Sequence, residues 1–540
     1  MSKRAVLAFA LLSLSLGLMI TRIATLEIGE YAGAAAVNGK KSIDIAYSRG
    51  YIYDCRMQPL VNRKQTDCVA AKPTARAMTF FRDCISDEEF TSVSESFKRG
   101  RPVFVNLTDT QIVPDSSDFF VFKKIERYGT EPFLSHVIGY LAPSGVSGIS
   151  GIEAAFENEL SAASGKLSVS YSTNAFGAML AGEPAIINDL NYNSGAGVVL
   201  TIDERIQSIL ENSMREGGID KGAGVILDAA TGEIRAMASM PDFPSGDISS
   251  AVADEENSPL INRALSAYSV GSVFKTVVAA AALENSIGAE KTYCCTGSVS
   301  KNGVEFHCNK RDGHGDVDMK NALAVSCNTY FINLACELGA EKILAVAAEM
   351  GFGREIELCP GMVCAGGVLP SADELDSEAA LSNLGFGQGR LLASPLQMAA
   401  AYLSIANGGK YLTPSLVKGV ADADGKLSVG IQTQAFKRVM SESCADELCG
   451  LLGYVVEHGS FSASRPMNVS SAGKTATAQS GWYIEGKEVL HSWFAGFFPA
   501  DNPVYVVVIM KENGRSGGTD CVPVFKSIST EIVNNLFVPD

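Results

Sequence analysis

The chain predicts an α+β fold, and two pairs of apolar runs in its second half carry that reading. Residues 224–227 and 234–240 are joined by Asp228-Ala229-Ala230-Thr231-Gly232, and residues 493–498 and 504–510 flank Pro499-Ala500-Asp501-Asn502-Pro503. Both connectors have hairpin chemistry. Helical runs lie between the two pairs. The expected domain is therefore an antiparallel sheet with strands from both ends of the segment and helices inserted between them.

A length of 540 residues allows several domains. Residues 5–20 carry no charge, follow Lys3 and Arg4, and are closed by Arg22. Apolar character resumes at Ile23 and Leu26, and snorkelling by Arg22 extends the stretch toward the ~20 residues a bilayer needs. A membrane anchor is expected over residues 1–26, with Lys3 and Arg4 cytoplasmic and the bulk of the chain outside. A cleaved signal peptide, cut near Ala32-Gly33-Ala34, is the alternative and exports the chain equally. Residues 27–193 are polar and irregular, with strand-like runs at 42–47 and 103–107, as in an elongated α+β domain. After the Gly-rich stretch 193–197 the runs lengthen, which sets a second domain at 194–540. It opens with an apolar run at 198–203 and an amphipathic helix at 205–214, and closes with a helix over 522–537.

Lys plus Arg number 44 against 60 Asp plus Glu, a net charge of -16. Such a surface repels phosphate backbones, so nucleic acid is not an expected partner. The 13 cysteines of an exported chain permit disulfides and leave at least one thiol unpaired. Cys294, Cys295, His307, Cys308 and His314 crowd together, but their spacing fits no C-x-x-C plus H-x-x-x-H frame. A local disulfide or free thiols are expected there in preference to a metal.

Chemistry concentrates in three short motifs. Ser272-Val273-Phe274-Lys275 begins a helical run over 273–283, which puts Ser272 at a helix N-terminus and Lys275 one turn later on the same face. The positive end of the helix dipole and desolvation both disfavour the ammonium form of Lys275. A neutral lysine is the base that a serine needs to become a nucleophile when no histidine serves it. Ser326-Cys327-Asn328 supplies a hydroxyl to relay a proton and a carboxamide to hold a substrate amide. Lys474-Thr475-Ala476-Thr477, flanked by small residues, suits a strand whose backbone approaches a ligand closely, its cation and hydroxyls binding a carboxylate. The backbone N–H groups of Thr477 and Ser272 would form an oxyanion hole. Each motif alone is weak: S-x-x-K recurs at Ser298, Ser415 and Ser471, and S-x-N at Ser172. Their fixed order, S-x-x-K then S-x-N then K-T-x-T, is far more specific.

With that trio the chain resembles a class B penicillin-binding protein, a membrane-anchored peptidoglycan D,D-transpeptidase. The resemblance extends to Arg49-Gly50-Tyr51-Ile52-Tyr53-Asp54, to His136-Val137-Ile138-Gly139-Tyr140, to Gly385-Phe386-Gly387-Gln388-Gly389 and to Ala406-Asn407-Gly408-Gly409. It implies a serine β-lactamase-like transpeptidase domain on a pedestal of the dimerisation type. It also implies Ser272 as the acylated nucleophile, Lys275 as its base and Ser326 as the proton relay. Asn328 would hold the stem peptide, and Lys474, Thr475 and Thr477 its terminal carboxylate. The implied partners are peptidoglycan stem peptides, β-lactam antibiotics, the membrane and a polytopic membrane glycosyltransferase; no metal or organic cofactor is implied. A D,D-carboxypeptidase and a β-lactamase or β-lactam sensor share the trio, and a non-catalytic wall scaffold is the alternative of another class. Two positions depart from the family pattern. Ala476 stands where Gly is usual, with a methyl expected to narrow the cleft or shift the donor geometry, and Cys55 intervenes between Asp54 and Arg56.

Overall fold

The computed structural model describes residues 3–28, 39–107, 113–114, 116–174, 176–180, 183–430 and 436–537. Ala32, Gly33 and Ala34 lie outside the described residues. The apolar N-terminal run forms one helix, Lys3–Ile28, whose stretch Lys3–Thr25 has a mean hydropathy of 2.1 and none of its surface buried. It is long and apolar enough to cross a membrane. The uninterrupted helix also carries the apolar segment past Arg22, as its flanking residues required.

The chain forms two compact units, the first made of Met1–Arg49, Asn62–Arg127 and Ala163–Ser194, the second of Gly50–Val61, Tyr128–Ala162 and Gly195–Asp540. Residues 50–61 and 128–162, which precede the boundary expected at 193, thus belong with the second unit. The reason is visible in pairing: Tyr51–Tyr53 runs parallel to Gly197–Leu200, with Ile52 opposite Val198, and both side chains are fully buried. In the first unit the run at 42–47 lies in the strand Lys40–Ser48, which pairs antiparallel with Gly165–Ser172. The run at 103–107 becomes Val103–Asn106, one edge of a three-stranded sheet with Lys64–Ala71 and Phe119–Glu126. Helices Ala75–Cys84 and Asp87–Lys98 bury Phe81, Val93 and Phe97 with Val69 and Phe119 of that sheet.

The second unit has the expected architecture. Its five-stranded antiparallel sheet runs Ile234–Met240, Gly222–Asp228, Tyr505–Lys511, Lys487–Phe498, Ala472–Ile484, so strands from both ends of the domain meet at its centre. Val508 sits opposite Val225, which sits between it and Met237, and all three are buried. The Asp228 turn closes as its residue types required: the carboxylate accepts the backbone N–H groups of Ala230 and Thr231. Helix Glu204–Glu216, capped by Asp203, and helix Val522–Leu536 bury their apolar stripes in the same core. Ile226, on the inner strand Gly222–Asp228, is fully buried. Ile226→Ala is expected to destabilise this unit by about 2–5 kcal/mol without moving the first unit's transition, read from denaturant unfolding of the chain.

Candidate active site

Gly271–Phe274 is a turn of 3-10 helix that passes directly into the α-helix Lys275–Glu284. Residues three apart eclipse in a 3-10 turn, so Ser272 and Lys275 lie on one face, and the Lys275 N–H bonds the Ser272 carbonyl. The helix is apolar all round and sits inside the domain: Val277 through Ala282 are fully buried. Its first turn is held from behind by Tyr402, whose hydroxyl donates to the Val273 carbonyl at 3.1 Å and meets the Thr276 hydroxyl at 2.9 Å.

Lys275 is fully buried and Ser272 partly exposed, which presents a hydroxyl to the cleft and its base to the interior. The Lys275 amine donates to the Ser326 hydroxyl at 3.1 Å, to the Ser326 carbonyl at 2.8 Å and to Asn328 Oδ1 at 2.8 Å. Burial lowers its pKa to about 7, opposed by the neighbouring Cys327 and Cys308. Among the described residues the Ser272 hydroxyl has no hydrogen-bond partner, so the amine stands organised on the relay serine and the nucleophile is free to turn toward a substrate.

Ser326 and Asn328 reach the amine because the chain reverses between two helices, Met319–Ala324 and Asn328–Leu338. Ser326 takes a left-handed conformation, φ 53°, uncommon for a residue with a side chain and characteristic of functional positions held by their surroundings. Asn328 opens the second helix and spends its other amide end on the His307 carbonyl at 3.1 Å.

The third motif lies on Ala472–Ile484, the edge strand of the sheet, beside the Ser272 turn. Successive side chains alternate: Lys474, Ala476 and Ala478 are buried, while Thr475 is half-buried and Thr477 exposed. Lys474 Nζ donates to the Thr475 carbonyl at 3.0 Å. Its pKa is pushed well down, chiefly by burial and also by the charge of Lys275. A carboxylate arriving at the open edge would supply the counter-charge that this amine lacks.

Ala476 corrects one expectation. Its methyl points away from the open side, is 3% exposed, and packs over Gly271. Gly271 has φ +61°, and a Cβ there would lie 3.0 Å from the Ala478 Cβ and 3.3 Å from that of Ala476. Glycine therefore belongs at 271, where the strand crosses closest to the turn that carries the nucleophile, and the Gly271 N–H is held by the Gly387 carbonyl at 3.0 Å. The cysteine-histidine group also rearranges. Cys294 and His307 are exposed, whereas Cys295, Cys308 and His314 converge with Cys327, a residue that sequence reasoning had seen only as the middle of S-x-N. Among the described residues no two cysteines are joined, so the local disulfide expected as one alternative is not what the structure contains.

Residues 222–530 match the penicillin binding protein transpeptidase domain. The chain is 30% identical over 433 residues to stage V sporulation protein D of Bacillus subtilis, covering 77% of this chain and 64% of that protein. It is 31% identical over 363 residues to the peptidoglycan D,D-transpeptidase PbpA of Mycobacterium tuberculosis, covering 62% of this chain and 72% of the relative. Among solved structures, the D,D-transpeptidase domain of a peptidoglycan glycosyltransferase from Eggerthella lenta superposes with a TM-score of 0.64 at 25% identity, over 90% of this chain and 98% of that one.

Three outcomes follow from this geometry. Because Lys275 must be neutral to take the Ser272 proton, labelling of Ser272 by an acylating lactam should rise about tenfold per pH unit below about 7 and level off above it. The same lowered pKa makes the unfolded chain bind the extra proton between about 7 and 10.5, so this residue's contribution to stability increases with pH across that window. A flat pH profile with intact labelling would remove Lys275 from the role of base. Ala476→Gly should change the labelling rate by less than about threefold, while Gly271→Ala, with its left-handed backbone costing about 1–2 kcal/mol before any contact, should slow it by tenfold or more in the same assay.

Proposed function

The chain belongs to the class B penicillin-binding proteins that carry a transpeptidase domain, and from that premise we propose that it is a serine peptidoglycan D,D-transpeptidase and a target of β-lactams. One observation carries the reading: a fully buried lysine, with its pKa brought down to about 7, is hydrogen-bonded to the S-x-N serine one helical turn from Ser272.

In the proposed reaction the Ser272 hydroxyl attacks the carbonyl of the penultimate D-Ala of a stem peptide and gives its proton to Lys275. The C–N bond to the terminal D-Ala breaks, and the proton passes through Ser326 to the departing amine. The acyl group remains on the Ser272 oxygen until an amine of a neighbouring stem peptide attacks it, forms the cross-link and returns the hydroxyl. Asn328 orients the peptide amide. Lys474, with Thr475 and Thr477 on the open side of the same strand, receives the terminal carboxylate. The backbone N–H groups of Ser272 and Thr477 steady the oxyanion. No step draws on a metal or an organic cofactor.

The remaining assignments rest on this reading. The helix Lys3–Ile28 serves as a single anchor, with Lys3 and Arg4 cytoplasmic and everything after Arg22 outside. Residues 27–193 form the pedestal and 194–540 the transpeptidase domain, with residues 50–61 and 128–162 built into the latter. A polytopic membrane glycosyltransferase supplies the glycan strands.

Intact-mass spectrometry of the full chain with a penicillin tests the assignment. A long-lived adduct mapped to Ser272 and absent from Ser272→Ala is expected; equal labelling of the two proteins would sink it. With a D-Ala-D-Ala pentapeptide and an acceptor amine, the cross-linked or exchanged product should dominate. Hydrolysis alone would move the reading to a D,D-carboxypeptidase, and rapid loss of the penicillin adduct with hydrolysed drug to a β-lactamase.

A further inference from the structure

Residues 293–317 leave the helical core as two nested hairpins: Tyr293–Cys295 pairs with Gly315–Val317, and inside it Ser298–Lys301 pairs with Val304–His307. The excursion has little apolar core of its own. Val304 is exposed, and of its residues only Cys295, Cys308 and Val317 are buried hydrophobics. Its fold is nevertheless tight: Gly297 has φ +98°, a Cβ there would fall 1.8 Å from the Arg311 carbonyl oxygen, and the Cys308 N–H bonds the Gly297 carbonyl at 2.9 Å. An irregular loop of this length with so few apolar contacts requires another source of cohesion.

That source is visible where its side chains converge. Cys295 Sγ, Cys308 Sγ, the His314 ring nitrogen and Cys327 Sγ all lie within 4.8 Å of one another. Cys295 Sγ and Cys308 Sγ are each 3.5 Å from His314 Nδ1, and the Cys308 and Cys327 sulfurs are 3.8 Å apart. A tetrahedral zinc with bonds of about 2.3 Å to sulfur and about 2.0–2.1 Å to nitrogen puts its sulfurs about 3.8 Å apart and sulfur about 3.6 Å from nitrogen. A disulfide between Cys308 and Cys327 would instead need the sulfurs at about 2.05 Å. The three cysteines are buried and His314 is partly so. Thr329 Oγ1 lies 3.3 Å from Cys327 Sγ, in position to donate to a thiolate.

We propose that Cys295, Cys308, His314 and Cys327 form a closed structural zinc site that staples the hairpin excursion to the S-x-N motif. Three thiolates and one imidazole are the ligands zinc prefers, and a full set of four protein ligands leaves no open position for catalysis. The site's reach into the reaction comes from Cys327, which lies between Ser326 and Asn328. Two further bonds run along the same seam: Asn309 Nδ2 to the Val325 carbonyl at 3.0 Å and Asn328 Nδ2 to the His307 carbonyl at 3.1 Å. Fixing the Cys327 sulfur fixes the left-handed turn that aims the Ser326 hydroxyl at Lys275. Cys327 is in this sense a positioning residue. Metal binding itself does not depend on the transpeptidase reading; the coupling to acylation does.

The test uses the full chain in detergent. Purified under reducing conditions, it should hold about one zinc per chain by elemental mass spectrometry. Exchange with Co(II) should give the intense visible bands and near-ultraviolet thiolate charge transfer of a tetrahedral thiolate-rich site. Cys295→Ser should lose the metal, Cys294→Ser should keep it, and Ser272→Ala should keep it while losing the penicillin adduct. Chelation should slow acylation of Ser272 by about tenfold or more, with recovery on adding zinc. Substoichiometric metal after zinc loading, or a Cys308–Cys327 disulfide in peptides mapped without reduction, would overturn the site. The cobalt spectrum of the wild-type chain decides the matter even if the Cys295 variant fails to fold. Metal without any adduct on Ser272 would overturn the transpeptidase reading alone, and an adduct on a chain that takes up no metal would overturn the zinc site alone.

Discussion

The burial of one amine organises this domain. Lys275 is fully enclosed and bonded to Ser326 and Asn328. A charged ammonium in that position would carry a desolvation penalty with no carboxylate among the described residues to offset it, so the group is held near neutrality. Everything that encloses it follows from the same requirement. The helix that bears it has only Ala, Val and Thr over 276–282, which lets neighbouring elements approach its backbone closely. Tyr402 fixes its first turn, and Phe331 lies with its ring 5.7 Å from the amine, as an apolar wall that attracts a cation weakly.

The cleft is assembled from segments far apart in sequence, and each contributes backbone as much as side chain. The Ser272 turn hangs on Gly387 and is overlaid by the edge strand bearing Lys474. The S-x-N turn is tied through Asn328 to His307, at the base of the hairpin excursion. The order of the sheet explains why: its strands come from both ends of the domain, so the helices between them are enclosed by pairing that cannot form until the C-terminal strands arrive. Non-local pairing of this kind slows folding, because long loops must close before their contacts form.

Local chemistry carried much of this architecture into the sequence. Hairpin residues at Asp228 and Gly232, strand runs at 234–240 and the helical spacing after Ser272 act within a few residues, and the structure follows them closely. The three motifs were legible by their order, as was the apolar helix at the N-terminus. Less legible were the ends of the second domain. The strand Tyr51–Tyr53 is too short to announce itself, and it joins a four-stranded sheet separate from the one that bears Lys474, yet Ile52 is buried there because Val198 stands beside it.

What the sequence by itself determined is therefore the set of reactive groups, their order and the elements that bear them, because turn preference, periodicity and helix position are properties of neighbours in the chain. Tertiary structure alone decided which face of a strand meets the cleft and which distant residues share a centre. Ala476 turns its methyl onto Gly271 and not into the cleft because strand register sets its direction, a property of the Ala472–Ile484 pairing with Lys487–Phe498. Cys327 joins Cys295, Cys308 and His314 because two nested hairpins fold back onto the start of a helix. No spacing rule within the chain encodes that meeting; three-dimensional packing creates it.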